Sequence, residues 1–327
     1  MQFEIRMTAY NRPNMLRRAL QSIQAQAYPH WKAIVYDDSS DTASRDVVEG
    51  IGDTRILYRR NPERLGAVAN VDQCMSPVPV FGGHYGCLLE DDNYWFSTYL
   101  SSVVARLQKK AWSLVQTNQG FADVHGRRVP AEETTRGGWF HEGKVDPLVL
   151  RSTLFLMEGV SNSGLVWRLN GNIDLRLEDL VHEAGLNEAC RSLLIGAPFL
   201  FIAQPLGVYT IIERSNSARA ADRDRSVNRG IQRIRDYLLR VHGESIVRLA
   251  EELAIKNGLT NRLIDNLAYS GHLLQAAALA RGRGARSSPI RAWAKGLASR
   301  LVEDDPCAIF LTSARIPVIE SAAGSRH

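Results

Sequence analysis

A strand–helix–strand pattern between Phe3 and Ser40, closed by the pair Asp37-Asp38, constrains this chain more than any other feature. Phe3, Ile5 and Met7 alternate with polar residues, as a half-buried strand does. Asn11 then precedes Pro13. Asn is a favourable N-cap, and Pro is tolerated in the first helical turn because its missing N–H has no partner there. Leu16, Ala19, Leu20, Ile23 and Ala27 follow at helical spacing, and Tyr28-Pro29 ends the helix. The apolar run Trp31 to Tyr36 reads as a second strand. Such a unit implies parallel strands joined by a right-handed crossover, and hence an α/β architecture.

The pattern continues. Residues 44–50 read as a helix, Arg55 to Tyr58 as a strand, Asn61 to Gly66 as a loop and Ala67 to Cys74 as a helix. After the breaks at Pro77, Pro79 and Gly82-Gly83, a short strand at Cys87 to Leu89 ends in Glu90-Asp91-Asp92-Asn93. Tyr99 to Leu107 is helical in pattern and Ser113 to Thr117 strand-like. Residues 123–147 lack periodicity, which predicts a long functional loop. Glu158 to Arg168 reads as a strand, Leu177 to Leu194 as a helix, and Phe199 to Ala203 as a strand leading to Tyr209. Beyond Ala220 the chain becomes a series of short amphipathic helices at Ile231–Val241, Ser245–Ala254, Asn261–Leu267, His272–Ala280 and Ile290–Leu301. A short strand is expected at Ala308–Leu311, and a mobile tail from Ser313.

A chain of 327 residues accommodates a large domain and an appendage. Cys74, Cys87, Cys190 and Cys307 are scattered, which argues against a structural zinc site and against a disulfide framework. The N-terminus has no signal-peptide pattern, and no run approaches the ~20 apolar residues of a membrane span, so a cytoplasmic location is expected. The net charge of +5 is uneven. From Pro205 onward 19 Lys/Arg stand against 12 Asp/Glu, leaving the earlier residues slightly acidic. A solvated helical surface explains this excess, and attraction to anionic lipid or an anionic acceptor is the sharper alternative.

Two acidic pairs, Asp37-Asp38 and Asp91-Asp92, each follow an apolar strand. Ligands of open α/β sheets bind beyond the carboxyl ends of the strands, so both pairs are expected at one crevice. There a carboxylate can hydrogen-bond a base or ribose, or offer oxygens to a hard cation such as Mg²⁺ or Mn²⁺. Asp is also common in turns, and a single pair would read that way; the repetition of the arrangement favours ligand chemistry.

Met7-Thr8-Ala9-Tyr10-Asn11-Arg12, Leu20 to Gln26, Val35 to Asp41 and Glu90-Asp91-Asp92-Asn93 together resemble family 2 glycosyltransferases of the GT-A type. The resemblance spans about residues 2–217, most specifically the first hundred, and leaves the C-terminal third uncovered. It implies a Rossmann-like, mostly parallel mixed sheet flanked by helices, with a C-terminal helical region. The boundaries expected on that basis are 1–217 for the catalytic domain (1–110 nucleotide-binding, 111–217 acceptor-binding), 218–312 for the helical region and 313–327 for the tail. It also implies a nucleoside-diphosphate-sugar donor, typically UDP-linked, a glycan or glycoconjugate acceptor, and Mn²⁺ or Mg²⁺. Thr8 and Tyr10 would line the nucleoside pocket, Asp38 would bond the base, Asp91 the ribose, and Asp92 would ligate the cation. Arg64 lies where the family contacts base or diphosphate, although a solvated loop arginine is an equal reading.

Members of that family usually invert the anomeric centre with a carboxylate general base. Ile173-Asp174 matches the turn before it and Arg191 the arginine after it. Glu183 has the better spacing to Arg191, whereas Glu178-Asp179 is the closer literal match, so Glu183 leads with Asp179 and Glu178 as alternatives. Ile212 stands where many members carry a metal- or diphosphate-binding His, and Glu213, Arg214 or Ser215 are candidate substitutes. Asn162-Ser163-Gly164 is a candidate contact for sugar hydroxyls and Trp139 for the acceptor, while Trp95 and Trp167 are expected in the core. His84, His125, His141 and His182 share no ligand spacing and read as surface residues. The C-terminal helices are candidates for a homodimer contact or a peripheral membrane contact, and no nucleic-acid partner is expected. Two other functions fit parts of the pattern. A catalytically silent nucleotide-sugar binder remains open. A sugar-phosphate nucleotidyltransferase is disfavoured, because Thr8 to Arg12 contains no glycine.

Overall fold

The computed structural model describes residues 1–128, 133–156, 159–212, 218–283, 288–300 and 305–319. In chain order the first elements are β1 (Phe3–Ala9), α1 (Pro13–Gln24), β2 (Trp31–Asp37), α2 (Ala43–Ile51), β3 (Ile56–Arg60), α3 (Ala67–Cys74) and β4 (Tyr85–Glu90). Then come β5 (Tyr94–Trp95), α4 (Tyr99–Lys109), β6 (Leu114–Ala122), β7 (Gly143–Val145), α5 (Pro147–Ser152), β8 (Leu165–Arg168), α6 (Asn187–Leu194) and β9 (Phe199–Thr210). The nine strands form one mixed sheet in the order β3-β2-β1-β4-β8-β6-β9-β5, with β7 added on β9. β3, β2, β1 and β4 run parallel, while β8 is antiparallel to both β4 and β6. The expected mostly parallel mixed sheet is therefore present.

The chain divides into two compact units. The sheet unit comprises Met1–Val145, Val160–Glu178 and Pro198–Glu213; the helical unit comprises Asp146–Gly159, Asp179–Ala197 and Arg214–His327. The linear boundaries expected at 110 and 217 miss this interleaving, because two inserts from the middle of the chain, containing α5 and α6, group with the C-terminal helices.

The core of the sheet unit packs Phe3, Ile5 and Met7 of β1 against Leu16, Leu20 and Ile23 of α1 and Leu100 and Val103 of α4. β1 is not half-buried as its alternation suggests: all seven residues are buried. Its polar face carries Glu4 and Arg6, paired at 2.9 Å and both inaccessible to solvent. Glu4 accepts from the amides of Val80, Phe81 and Gly83 at 2.7–2.8 Å, and Arg6 donates to the carbonyls of Cys74, Ser76 and Val78. Burial would raise the Glu4 pKa, but these donors outweigh it and hold the carboxyl ionised, below its ordinary range. A loop that supplies backbone partners thus lets a charged strand face enter the interior.

The remaining helices are α7 (Ala218–His242), α8 (Glu244–Lys256), α9 (Thr260–Tyr269), α10 (Leu273–Arg283), α11 (Pro289–Arg300) and α12 (Ala308–Thr312). Ala308–Leu311 is therefore a helix, not the expected strand; an apolar run that short has no period to read. Residues 313–319 also differ from the expected mobile tail. Ile316 is buried, and Arg151 Nη2 donates to Pro317 O at 3.0 Å. Leu177–Leu194 is not one helix: α6 begins only at Asn187, after a 3-10 turn at Ala184–Leu186. The strand expected over Glu158–Arg168 shortens to β8, behind a 3-10 turn at Asn162–Gly164. All four cysteines are buried, and no disulfide joins them among the described residues. No helix among the described residues is long and apolar enough to cross a membrane.

Candidate donor site at the carboxyl ends of the parallel strands

Strand register brings the two acidic pairs together. Ala9 pairs with Asp37 and Thr8 with Glu90, so the chain leaves β1, β2 and β4 at one level of the sheet. Asp38 and Asp91 follow directly. Asn11 turns the chain after β1 with a left-handed φ of 54°, a conformation that Asn tolerates. Arg12, rather than Asn11, then occupies the N-cap position of α1. The turn is tied on both sides: Tyr10 N donates to Asp91 Oδ2 and Asn11 N to Ser39 Oγ, both at 2.9 Å.

Asp38 organises the neighbouring loop. Its Oδ1 accepts from Asn61 Nδ2 at 3.0 Å and Leu65 N at 2.8 Å, and its Oδ2 from Gly66 N at 2.9 Å. Gly66 has φ 83°, which suits the glycine at that bend. The same loop carries Arg64, whose guanidinium lies 4.7 Å from the centroid of the exposed Tyr10 ring. Asp37 lies beneath the surface, accepting from Ser39 and from Tyr58 OH at 2.8 Å. Burial and that bond to Asp37 push the Tyr58 hydroxyl up to about 12, so it remains a donor.

Asp91 is buried and Asp92 partly so. Arg12 Nη1 bridges them, 3.2 Å from Asp91 Oδ1 and 2.6 Å from Asp92 Oδ2. Burial, then the Asp92 charge, pushes Asp91 up to about 7, and burial also raises Asp92. Burial pulls the Arg12 guanidinium down, but the two aspartates outweigh it and raise it overall. The backbone of the acidic turn is clamped as well. Arg18 Nη2 donates to Asp92 O at 2.7 Å, Thr210 Oγ1 donates to the same oxygen, and Thr210 N donates to Asn93 Oδ1 at 2.9 Å. Ser163 Oγ donates to Glu90 Oε2 at 2.7 Å and accepts from Asn93 Nδ2 at 3.0 Å.

No group of three or more His, Cys, Asp or Glu side chains suited to a metal occurs among the described residues. The donor chemistry still fits a hard cation. Asp92 offers carboxylate oxygens at a strand end, and Mg²⁺-type ions are held by one or two carboxylates with substrate phosphates and water completing the shell. That two carboxylates share one guanidinium also marks a place where positive charge is needed.

Residues 5–151 match the family model described as glycosyl transferase family 2. The match covers a little under half of the chain. Similar proteins include the E. coli UDP-Glc:alpha-D-GlcNAc-diphosphoundecaprenol beta-1,3-glucosyltransferase WfaP, 30% identical over 98 residues, or 30% of this chain and 38% of that protein. The putative colanic acid biosynthesis glycosyl transferase WcaA of E. coli K12 is 31% identical over 107 residues, or 32% and 37% of the two chains. A Campylobacter jejuni GalNAc(5)-diNAcBac-PP-undecaprenol beta-1,3-glucosyltransferase is 29% identical over 127 residues, or 38% and 37%. The matches thus span well under half of each relative's length. Among solved structures, S. aureus TarS 1-349 in complex with UDP-GlcNAc superposes with TM-score 0.57 at 14% identity, covering 91% of this chain and 89% of that one. That likeness shows the GT-A fold.

Within the matched stretch, Thr8, Tyr10, Asp38, Arg64, Asp91 and Asp92 all lie on the strand-end surface just described. Ser163 does not: it is fully buried beneath Glu90 and supports the acidic turn, and Asn162 is buried too, so the expected sugar-hydroxyl contact is corrected to a structural one. Gly164 is required there, since a Cβ would lie 2.7 Å from Thr117 O. Trp95 and Trp167 are in the core, and Trp139 is half-buried. His84, His125, His141 and His182 are exposed. Ile212 is exposed, while Glu213, Arg214 and Ser215 lie outside the described residues.

The general-base candidates are separately placed. Glu178 ends a segment of the sheet unit, whereas Asp179 and Glu183 belong to the helical unit. Glu178 and Asp179 are exposed in left-handed backbone, φ 49° and 54°, and Glu178 pairs with Arg176 at 3.1 Å. Glu183 is half-buried and caps the 3-10 turn through one long bond from Gly185 N at 3.4 Å. Arg191 is fully buried and donates to Asn187 Oδ1. Sequence reasoning missed Arg12, Arg18 and Thr210 as site-forming residues. Arg12 was legible in principle, since a buried acidic pair needs a nearby cation.

Proposed function

We propose that the chain is an inverting glycosyltransferase that moves a sugar from a UDP-sugar to a hydroxyl of a glycan or lipid-linked acceptor. The observation that carries this reading is the convergence of Asp38, Asp91 and Asp92 at the ends of adjacent parallel strands. Tyr10, paired with Arg64, offers an exposed aromatic face for the nucleoside. Asp38, which keeps the surrounding loop in shape, would bond the base, and Asp91 would bond the ribose. Asp92 would hold Mn²⁺ or Mg²⁺, which would supply Lewis-acid stabilisation of the charge developing on the departing diphosphate. Arg12, which bridges the two carboxylates, would add positive charge beside the diphosphate.

In this reading Glu183 takes the proton from the acceptor hydroxyl as its oxygen attacks the anomeric carbon, and the bond to the diphosphate breaks on the opposite face. Its carboxylate is lightly engaged, which leaves it available; Asp179 and Glu178 are the alternatives. The UDP-linked donor and lipid-linked acceptor are supported by the relatives' names and by the UDP-GlcNAc complex of the structural neighbour. A lipid-linked acceptor requires contact with a membrane surface, and the basic excess beyond Pro205 suits that. A homodimer through the C-terminal helices belongs to the same proposal.

Incubating the full chain with labelled UDP-sugars, Mn²⁺ and lipid-linked acceptors should give transfer. Glu183→Gln should lower turnover by about 10²–10⁴-fold while UDP binding is retained. Near-normal turnover would remove Glu183 from the role, and UDP binding without turnover on any donor would favour the silent binder.

A further inference from the structure

The helical unit contains a second cavity-bound cluster of charge, built entirely from its own helices. A cavity of about 580 Å³ lies among α7, α9 and α11, lined by Arg235, Asp265, Asn266, Tyr269, Arg291 and Lys295 among others. Arg235 is only 8% exposed. Its Nε donates to Leu154 O at 3.0 Å, and no carboxylate lies within ion-pair distance of it among the described residues. Burial, reinforced by Arg262, pulls its guanidinium down to about 9, and Tyr269 and Asp236 only partly offset this. A buried cation without a charged partner is costly, and an anion in the adjoining cavity would relieve it.

The opposite wall adds to the positive charge. Arg291 and Lys295 are one turn apart on α11, where like charges repel unless something bridges them. Asp265 is the carboxylate among these residues; burial raises its pKa, against the opposing pull of Lys295. The frame is closely packed. A Cβ at Gly296 would collide with Tyr269 O, so α11 lies backbone-to-backbone on α9, and Gln232 Nε2 donates to Tyr269 O at 3.0 Å and Gly296 O at 3.4 Å. Three cations around one roomy space, two of them planar guanidinium forks, match the oxygens of a phosphate or diphosphate.

We propose that this cavity binds a phosphorylated ligand through Arg235, Arg291 and Lys295. None of these residues belongs to the donor surface, and all lie beyond the family match. The phosphate has two conceivable carriers, a free diphosphate or a lipid headgroup, and the test separates them.

Full-length protein is titrated calorimetrically with inorganic pyrophosphate in chelator, and separately mixed with phosphatidylcholine vesicles with or without phosphatidic acid. The variant is Arg291→Glu with Lys295→Glu, both exposed positions where folding should survive, checked by circular dichroism. Asp92→Asn serves as the control for the donor surface. Saturable pyrophosphate binding that falls on the order of tenfold or more in the double variant, and not in Asp92→Asn, supports the proposal with a free diphosphate. The same loss seen only with phosphatidic acid vesicles supports it with a headgroup. Equal binding by wild type and double variant, or binding of neither probe, overturns it.

Discussion

In the sheet unit, Arg6 is buried against Glu4, and Arg12 bridges Asp91 and Asp92. In the helical unit, Arg151 and Arg235 are buried against backbone carbonyls instead: Leu193 O and Pro317 O for Arg151, and Leu154 O for Arg235. The consequence shows in their acidity. Arg12 is raised because its aspartates overcome burial, whereas burial pulls Arg151 down to about 10 and Arg235 to about 9. The sheet unit concentrates carboxylates at its strand ends and needs positive charge there. In the helical unit, the buried Arg151 and Arg235 have no ion pair among the described residues and rely on carbonyl acceptors. A nucleotide sugar with its cation suits the first arrangement, and a phosphorylated ligand suits the second.

This contrast can be broken by paired substitutions. Arg6→Met leaves Glu4 buried and unpaired, so it should destabilise the protein by about 3–5 kcal/mol in urea unfolding. Arg151→Met strands two carbonyls, loses a long contact with His242 Nε2 and removes a charge that no carboxylate pairs among the described residues, so a smaller loss of about 1–3 kcal/mol is expected. A loss at Arg151 equal to that at Arg6 would mean that both units balance their cations equally well.

The smallest effect concerns a surface pair of the sheet unit. Asp53 accepts from Arg55 at 2.7 Å, and Arg55 lies 3.7 Å from the centroid of the Trp31 ring. The Arg55 hydrogen bonds hold Asp53 down at about 2, below its ordinary 3.8. A carboxyl depressed in the folded state stabilises above its unfolded pKa and loses that stabilisation as pH falls through the folded value. The melting-temperature gap between wild type and Asp53→Asn should therefore be full above pH 4 and close as pH falls towards 2. A gap that widened on acidification would contradict the assignment.

The strand-end position of the acidic pairs was legible in the sequence because its signals are local. An apolar run that stops on an aspartate marks a strand end, and Asp38 and Asp92 were found that way. The irregular middle was not. Leu175, Leu177, Val181 and Leu186 are all buried, yet only Asn187–Leu194 is α-helical, so burial in loops imitates a helical repeat. Glu4 and Arg6 misled in the opposite sense, because their partners are amides and carbonyls some seventy residues away that composition cannot reveal. The Arg18–Thr210 clamp on Asp92 spans 192 residues and carries no local signature either.

The most direct measurement is a calorimetric titration of UDP into the full chain with and without Mn²⁺, for wild type and Asp92→Asn. The account predicts that Mn²⁺ tightens UDP binding to the wild type by about tenfold or more, and that Asp92→Asn loses this enhancement while keeping its fold. Undiminished Mn²⁺ enhancement in Asp92→Asn, or none in the wild type, would contradict the assignment of these strand-end carboxylates to a cation-assisted donor site.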